Sequence, residues 1–435
     1  MSIQAIGVIG VVTLILLIFL RFPVAVAMGL VAFVGYGSIN GFQSALQVLG
    51  VIPFDLGTNY ALSQLPLFVL MGDFAVRSGM SARLYAAAQT VFSGLRGSQA
   101  YATLGASAGF GAVSGSSIAT AATMTRVSVP PMRAARYDDR LSAGSIAAGG
   151  TLGILIPPSI ALVVYAMIAE QSVPRLYAAS LIPGLALCLL YCVVVAVLVK
   201  LNPAMAPESE DRVGIARRIR ALGQVWEIAL LFAVVIGGLY SGIFTATEAA
   251  AVGAFGAWVL GFVTRRLTWR DTFEGFLSTL RTTAMLYVIL IAANAFTYFV
   301  VLTQIPQGLV ELVTSLGLGP VLVLIVIGVF YVILGCFLEA FGMILITVPI
   351  LLPVVVQAGY DPIWFGVFLV VMIELGMITP PVGMNIFVMQ AELTRMPLSR
   401  LYQAVLPFLS APIVLALLLI LAPGIATFLP SLFFD

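Results

Sequence analysis

Apolar runs of roughly 20 residues recur along the whole chain, separated by short stretches in which arginine, glycine and proline collect. That length matches a helical crossing of a bilayer, whereas barrel strands would alternate apolar and polar positions over about ten residues. The pattern predicts an all-α integral membrane protein. The first run, Ser2 to Leu20, lacks a basic leader and is followed by Arg21, so it reads as a retained first span and not a secretory signal. Two interruptions stand out: "LGILIPP" at 152–158 and "LGMITPP" at 375–381 set double prolines inside apolar stretches.

These segments belong to a repeat. A shift of 223 positions aligns Pro130 with Pro353, Tyr137-Asp138 with Tyr360-Asp361, Leu152-Gly153 with Leu375-Gly376, and Pro157-Pro158 with Pro380-Pro381, without a gap. Arginines oppose one another across it. Residues 76–97 hold Arg77, Arg83 and Arg96 and residues 126–140 hold four arginines, while 299–320 and 349–363 hold none; 264–280 holds Arg265, Arg266 and Arg270, while 41–57 has no basic residue. Because cytoplasmic loops retain Lys and Arg, equivalent loops face opposite sides, which predicts an inverted-topology repeat. The first repeat spans 1–200 and the second 225–435. Residues 201–224, with Glu208, Glu210, Asp211, Arg212, Arg217, Arg218 and Arg220, read as a solvated cytoplasmic linker.

Ser98 to Pro130 is too short for two crossings and has arginines at both ends, so it enters the membrane and turns back at "AVSGSSIAT", with Ser116 or Ser117 capping the second limb. Its counterpart runs from Pro320 to Pro353 with its tip at "GCFLEAFG", Gly335 to Gly342, entering from the other face. The double prolines remove two backbone donors each, freeing the carbonyls of Gly153 and Ile154 in one helix and of Gly376 and Met377 in the other. In hydrocarbon such oxygens need a partner. A hard cation such as Na+ suits carbonyl and hydroxyl oxygens, with Ser114, Ser117 and Thr379 completing the shells; for a single Pro-Pro, a kink satisfied by neighbouring hydroxyls is the alternative. Half-helix N-termini favour anions, so the turns at Ser114–Ser117, with Gly115 and Ser116, and at Thr379–Asn385, with Val382 and Gly383, suit a carboxylate substrate.

Composition narrows the chemistry. The chain is 61% hydrophobic and 9% charged, and its net charge of +2 gives no reason to expect nucleic-acid binding. It contains no histidine, which removes His-dependent metal and nucleophilic catalysis, and its single lysine, Lys200, ends a span; an enzyme is not expected. Cys188, Cys192 and Cys336 read as packing residues. Of the acids placed in or near spans, Asp73 and Glu248 read as helix-end or packing residues. Glu339 and Glu374, beside the second tip and second break, are functional candidates, Glu339 toward substrate.

With these residues in view, the chain resembles the large membrane subunit of the TRAP (tripartite ATP-independent periplasmic) transporters. The resemblance rests on "SGSSIATAA" at 114–122, "AAGGTLGILIPPSI" at 147–160, "ITVPILLPVV" at 346–355, "DPIWFGV" at 361–367 and "ELGMITPPVGMNIF" at 374–387. "VSVPPMRAARYDD" departs from the family pattern at Pro131 and Arg136. The resemblance implies a sodium-coupled, elevator-type carrier of an organic acid such as a C4-dicarboxylate or sialic acid, in the cytoplasmic membrane of a bacterium or archaeon. It implies a soluble periplasmic substrate-binding protein and a separate small four-helix membrane subunit as partners. A related sodium/dicarboxylate carrier working without a binding protein is the alternative. By motif, one sodium set maps onto Ser114, Ser117, Gly153, Ile156 and Pro158 and a second onto Gly376, Thr379 and Pro381. The architecture expected is about ten spans, periplasmic termini, arm helices at 81–96 and 306–318, hairpins at 98–130 and 320–353, and broken helices at 141–170 and 361–393.

Overall fold

A computed structural model describes residues 2–207, 213–393 and 396–434. Glu208, Glu210, Asp211 and Arg212 of the linker lie outside the described residues. The described chain is helical, with no strand among the described residues. Five helices are long and apolar enough to cross a membrane, or seven if each of two bent pairs counts as one span. Shorter apolar helices, such as Ile3–Phe19 and Val24–Asn40, have 17 residues each and rise about 26 Å, a little under the hydrocarbon thickness.

Close approaches between helices depend on small residues. A Cβ at Gly35 would fall 2.4 Å from the Phe299 ring, so only glycine lets Val24–Asn40 pack this tightly on the 34-residue helix Trp269–Leu302. Helix Gln64–Arg77 meets Trp269–Leu302 through polar groups: the Arg77 guanidinium lies 2.5 Å from Asp73 and 3.0 Å from Glu274. Asp73 is thus a packing residue near a helix end. Glu248 closes the capping box of Ala246–Val263, accepting from the Thr245 amide at 2.8 Å.

Helices lie in both arm regions, Met80–Phe92 and Ile305–Ser315. The first is tied to helix Trp226–Tyr240 by the ion pair of Arg83 with the buried Glu227. The linker is more than a solvated strand of charges. Residues Ile215–Gly223 form a helix bent 60° from the following one, and Arg218 donates to the Ser93 carbonyl at the end of the first arm at 2.8 Å. Its Ile215, Ile219 and Leu222, spaced along one face, are exposed, as expected of a helix lying at the membrane surface.

Both hairpins are helix pairs, Ser98–Ser114 with Ser117–Ala134 and Pro320–Gly335 with Ala340–Gln357, each running four residues past its expected end. The apolar helices with double prolines are interrupted: Asp139–Leu155 is followed by Ile160–Ile168 at 44°, and Pro362–Met377 by Met384–Glu392. Both Pro-Pro bonds are cis. The broken helices touch: Tyr165 donates to the Pro362 carbonyl at 2.5 Å, and Gly366 leaves room for its ring. Trp364 stacks between Tyr360 and Phe368 and donates its indole N–H to Leu419 O at 3.1 Å, fixing the second broken helix against the C-terminal helices.

Candidate functional site

Each hairpin tip rests against the break of its own repeat, and in each case two glycines permit the contact. A Cβ at Gly111 would lie 2.7 Å from Gly153 Cα, and one at Gly335 would lie 2.7 Å from Gly376 Cα. Backbone therefore meets backbone at both places, which brings main-chain oxygens within reach of the turns.

At the first tip, Gly115 takes the left-handed conformation with φ of +60°, and Ser116 caps the second limb by accepting from the Ala119 amide at 3.3 Å. The Gly115 carbonyl accepts the Ile160 N–H at 3.4 Å, joining tip to break. Ser114 Oγ lies 2.9 Å from Thr120 Oγ1, which also donates to Ser116 O at 2.7 Å. A Cβ at Gly153 would meet both Ser116 O and Thr120 Oγ1 at 2.6 Å. Thr120 thus belongs to the oxygen cluster, a contact with no signal in the sequence beyond its place at the tip. Pro157 and Pro158 are buried, Ile156 closes the helix by donating to Leu152 O, and among the described residues no donor reaches the carbonyls of Gly153 and Ile154. Ser114, Ser116, Thr120, Gly153 and, through Gly115, Pro158 therefore gather at the first tip, with Ile154 and Ile156 next to them along the chain.

The second tip and break are built differently. The Gly376 carbonyl, expected to be free, accepts the Thr379 amide at 3.0 Å, because the chain after Met377 tightens into a turn. The four freed carbonyls of the sequence reading become three. Met377 O has no donor among the described residues, and Thr379 Oγ1 donates back to Leu375 O at 2.6 Å. Cys336 at the tip approaches Pro380 O at 3.3 Å with its thiol and accepts the Gly383 amide at 3.2 Å. Tyr402 donates toward the carbonyls of Pro381 and Val382, holding the loop from the side. Pro381 is exposed and Val382 and Glu339 are half-buried; Glu339 is the N-cap of the second limb without making a side-chain cap bond.

Two assigned residues join the halves. Ser117, on the first hairpin, donates to Glu374 Oε2 at 2.9 Å, and Asn385 Nδ2 donates to the same Ser117 oxygen at 2.6 Å. All three are buried, Glu374 and Asn385 fully. Asn385, expected at a substrate turn of the second repeat, thus turns inward to the first hairpin, and Ser117 faces the second broken helix. Contacts between residues 257 and 268 positions apart carry no local signal in the sequence.

An all-helical fold with several membrane-length helices, two of its helices broken at double prolines, defines the class: a multi-pass membrane protein, and its sequence family is one of transporters. The sequence profile described as "Tripartite ATP-independent periplasmic transporter, DctM component" matches residues 11–425, and the chain belongs to that family as a large permease subunit. It is 38% identical over 390 residues to the C4-dicarboxylate TRAP transporter large permease protein DctM of Pseudomonas aeruginosa, covering 89% of this chain and 90% of that protein. It is 31% identical over 412 residues to the sialic acid TRAP transporter large permease protein SiaM of Vibrio cholerae, covering 94% of each. In fold alone it is similar to the Alcanivorax borkumensis YdaH transporter, with a TM-score of 0.66 at 13% identity over 89% of both chains.

Proposed function

We propose that the chain carries an organic acid, as its carboxylate, through the cytoplasmic membrane of a bacterium or archaeon in symport with Na+. A periplasmic binding protein delivers the acid, a small four-helix subunit braces the scaffold, and the tip-and-break modules travel by an elevator displacement. Na+ is here a co-transported substrate. The observation that carries the reading is the first module, where the hydrogen-bonded hydroxyls of Ser114 and Thr120 lie at the tip, Thr120 packs on Gly153, and the carbonyls of Gly153 and Ile154 have no donor among the described residues. Unpaired oxygens at membrane depth cost several kcal/mol each, of order, and a hard monovalent cation satisfies them without a charged ligand. Among the described residues there is no group of three or more His, Cys, Asp or Glu side chains that could hold a transition metal.

Two relatives named for C4-dicarboxylate and for sialic acid support a carboxylate as cargo. The first tip offers it the half-buried Ser116, and the second break the loop at Thr379, Val382 and Gly383. Asn385, turned toward Ser117, is not available to it in this arrangement.

The test is uptake of labelled C4-dicarboxylates, sialic acid and keto acids into proteoliposomes holding the chain and its small subunit. Accumulation that requires both an inward Na+ gradient and the binding protein is expected. Na+-driven accumulation without the binding protein would instead identify a stand-alone carrier, and uptake that only equilibrates would contradict active transport.

A further inference from the structure

Three consecutive carbonyls of the second break are held by side chains: Pro380 O by the Cys336 thiol at 3.3 Å, and Pro381 O and Val382 O by the Tyr402 hydroxyl, the latter at 3.3 Å. Tyr402 reaches the loop from helix Leu398–Val405, whose Leu401, Ala404 and Val405 are buried. Gly144 of the first broken helix lets that helix sit close, since a Cβ there would fall 2.5 Å from Ala404 O. The hydroxyl therefore grips the loop from a firm base. The peptide units Pro381–Val382 and Val382–Gly383 are both trans, so the C=O and N–H of each point in opposite directions. The second unit shows the result: its carbonyl is turned to Tyr402, and its N–H, on Gly383, donates the other way to Cys336 O at 3.2 Å. The first unit is held by the same hydroxyl, but its N–H, on the half-buried Val382, has no acceptor among the described residues.

We propose that Tyr402 is a positioning residue for the cargo: by taking the Pro381 and Val382 carbonyls, it turns the Val382 N–H away from helix Leu398–Val405 and presents it as the amide donor that a substrate carboxylate meets. An N–H without a partner is open to a charged acceptor, and a hydrogen bond to an ionised acceptor is stronger than a neutral one. Tyr402 itself does not touch the acid; it acts through the peptide unit that it holds. Because its helix is seated on the first broken helix, the aim of a donor in the second repeat is set from the first. This inference rests on the reading of the cargo as a carboxylate and adds the group that keeps the donor in place.

The test compares wild type with Tyr402→Phe, which removes the hydroxyl and keeps the ring. Equilibrium binding of labelled succinate, malate and sialic acid to the purified complex with its small subunit is measured at saturating Na+, beside the maximal rate of uptake, the Na+ concentration for half-maximal uptake and the melting temperature. Tyr402→Leu carries the test if Tyr402→Phe does not fold. Affinity for whichever acid the wild type binds is expected to fall by about tenfold or more, with the other three quantities little changed. Unchanged affinity in the folded variant would overturn the proposal. So would a fall in maximal rate alone, which would make Tyr402 part of the displacement, or a shift in the Na+ requirement alone, which would place it with the ion. A loss of affinity matched by a lower melting temperature would make its role merely structural and also overturn it. A wild type that binds none of the three acids would contradict the carboxylate reading itself, and this inference with it.

Discussion

The two tip-and-break modules start from matching sequence, yet they solve the same backbone problem differently. In the first, buried prolines leave two carbonyls without donors and the Thr120 hydroxyl, bonded to Ser114, packs on Gly153. In the second, the chain turns so that Thr379 repays Gly376, Tyr402 reaches two loop carbonyls, and Pro381 is exposed. The same motif thus yields a dry, oxygen-rich module and a more open one partly satisfied by protein. A duplicated break does not make duplicate surroundings, because the residues packed around it decide how many of its oxygens are left without a donor.

The largest effect is expected where the modules are alike. Gly153→Val puts a side chain where a Cβ already meets Ser116 O and Thr120 Oγ1 at 2.6 Å. Overpacking of about 1–3 kcal/mol follows, read as a roughly 10–100-fold loss of uptake. Gly376→Val, opposite the Gly335 backbone, should match it; survival of either would break the symmetry of the contact.

The next effect separates them. Thr379→Ala removes the hydroxyl assigned to the second break and should raise the Na+ concentration for half-maximal uptake by about tenfold or more. Thr120→Ala should do so less, because Ser114 remains at the first. A larger effect of Thr120→Ala would mean that its bond to Ser114 holds the ion site together.

The smallest effect is on stability. Asp138 and Asp361 occupy matching N-caps, but Asp138 accepts one amide and Asp361 accepts two, from Ile363 and Trp364. Replacing either by alanine should cost about 1 kcal/mol, with the larger fall in melting temperature for Asp361→Ala.

Much of this arrangement is legible in the sequence because it comes from local chemistry. A proline lacks a donor wherever it stands, and glycine with serine marks a turn and a cap, so the breaks near 157 and 380 and the tips near 115 and 336 can be placed without coordinates. The linker helix has a local signal in the helical spacing of Ile215, Ile219 and Leu222, which the arginines among them mask. What the sequence could not carry is contact. Thr120 joins the site only because the second limb folds its side chain back toward Ser114, and the meeting of Ser117 with Glu374 and Asn385 follows from the packing of one repeat on the other. The Gly376 carbonyl departs from expectation because counting four residues back from a proline assumes that the helix continues, whereas the chain has already turned.

The most direct test of the account is the initial rate of binding-protein-dependent uptake into proteoliposomes, measured as Na+ is raised at constant ionic strength with K+ as the replacement. Oxygen-lined sites that fill together with the carboxylate predict a sigmoidal rise with Na+ and no accumulation in K+ alone. Equal uptake in K+ would contradict the claim that these breaks are Na+ sites.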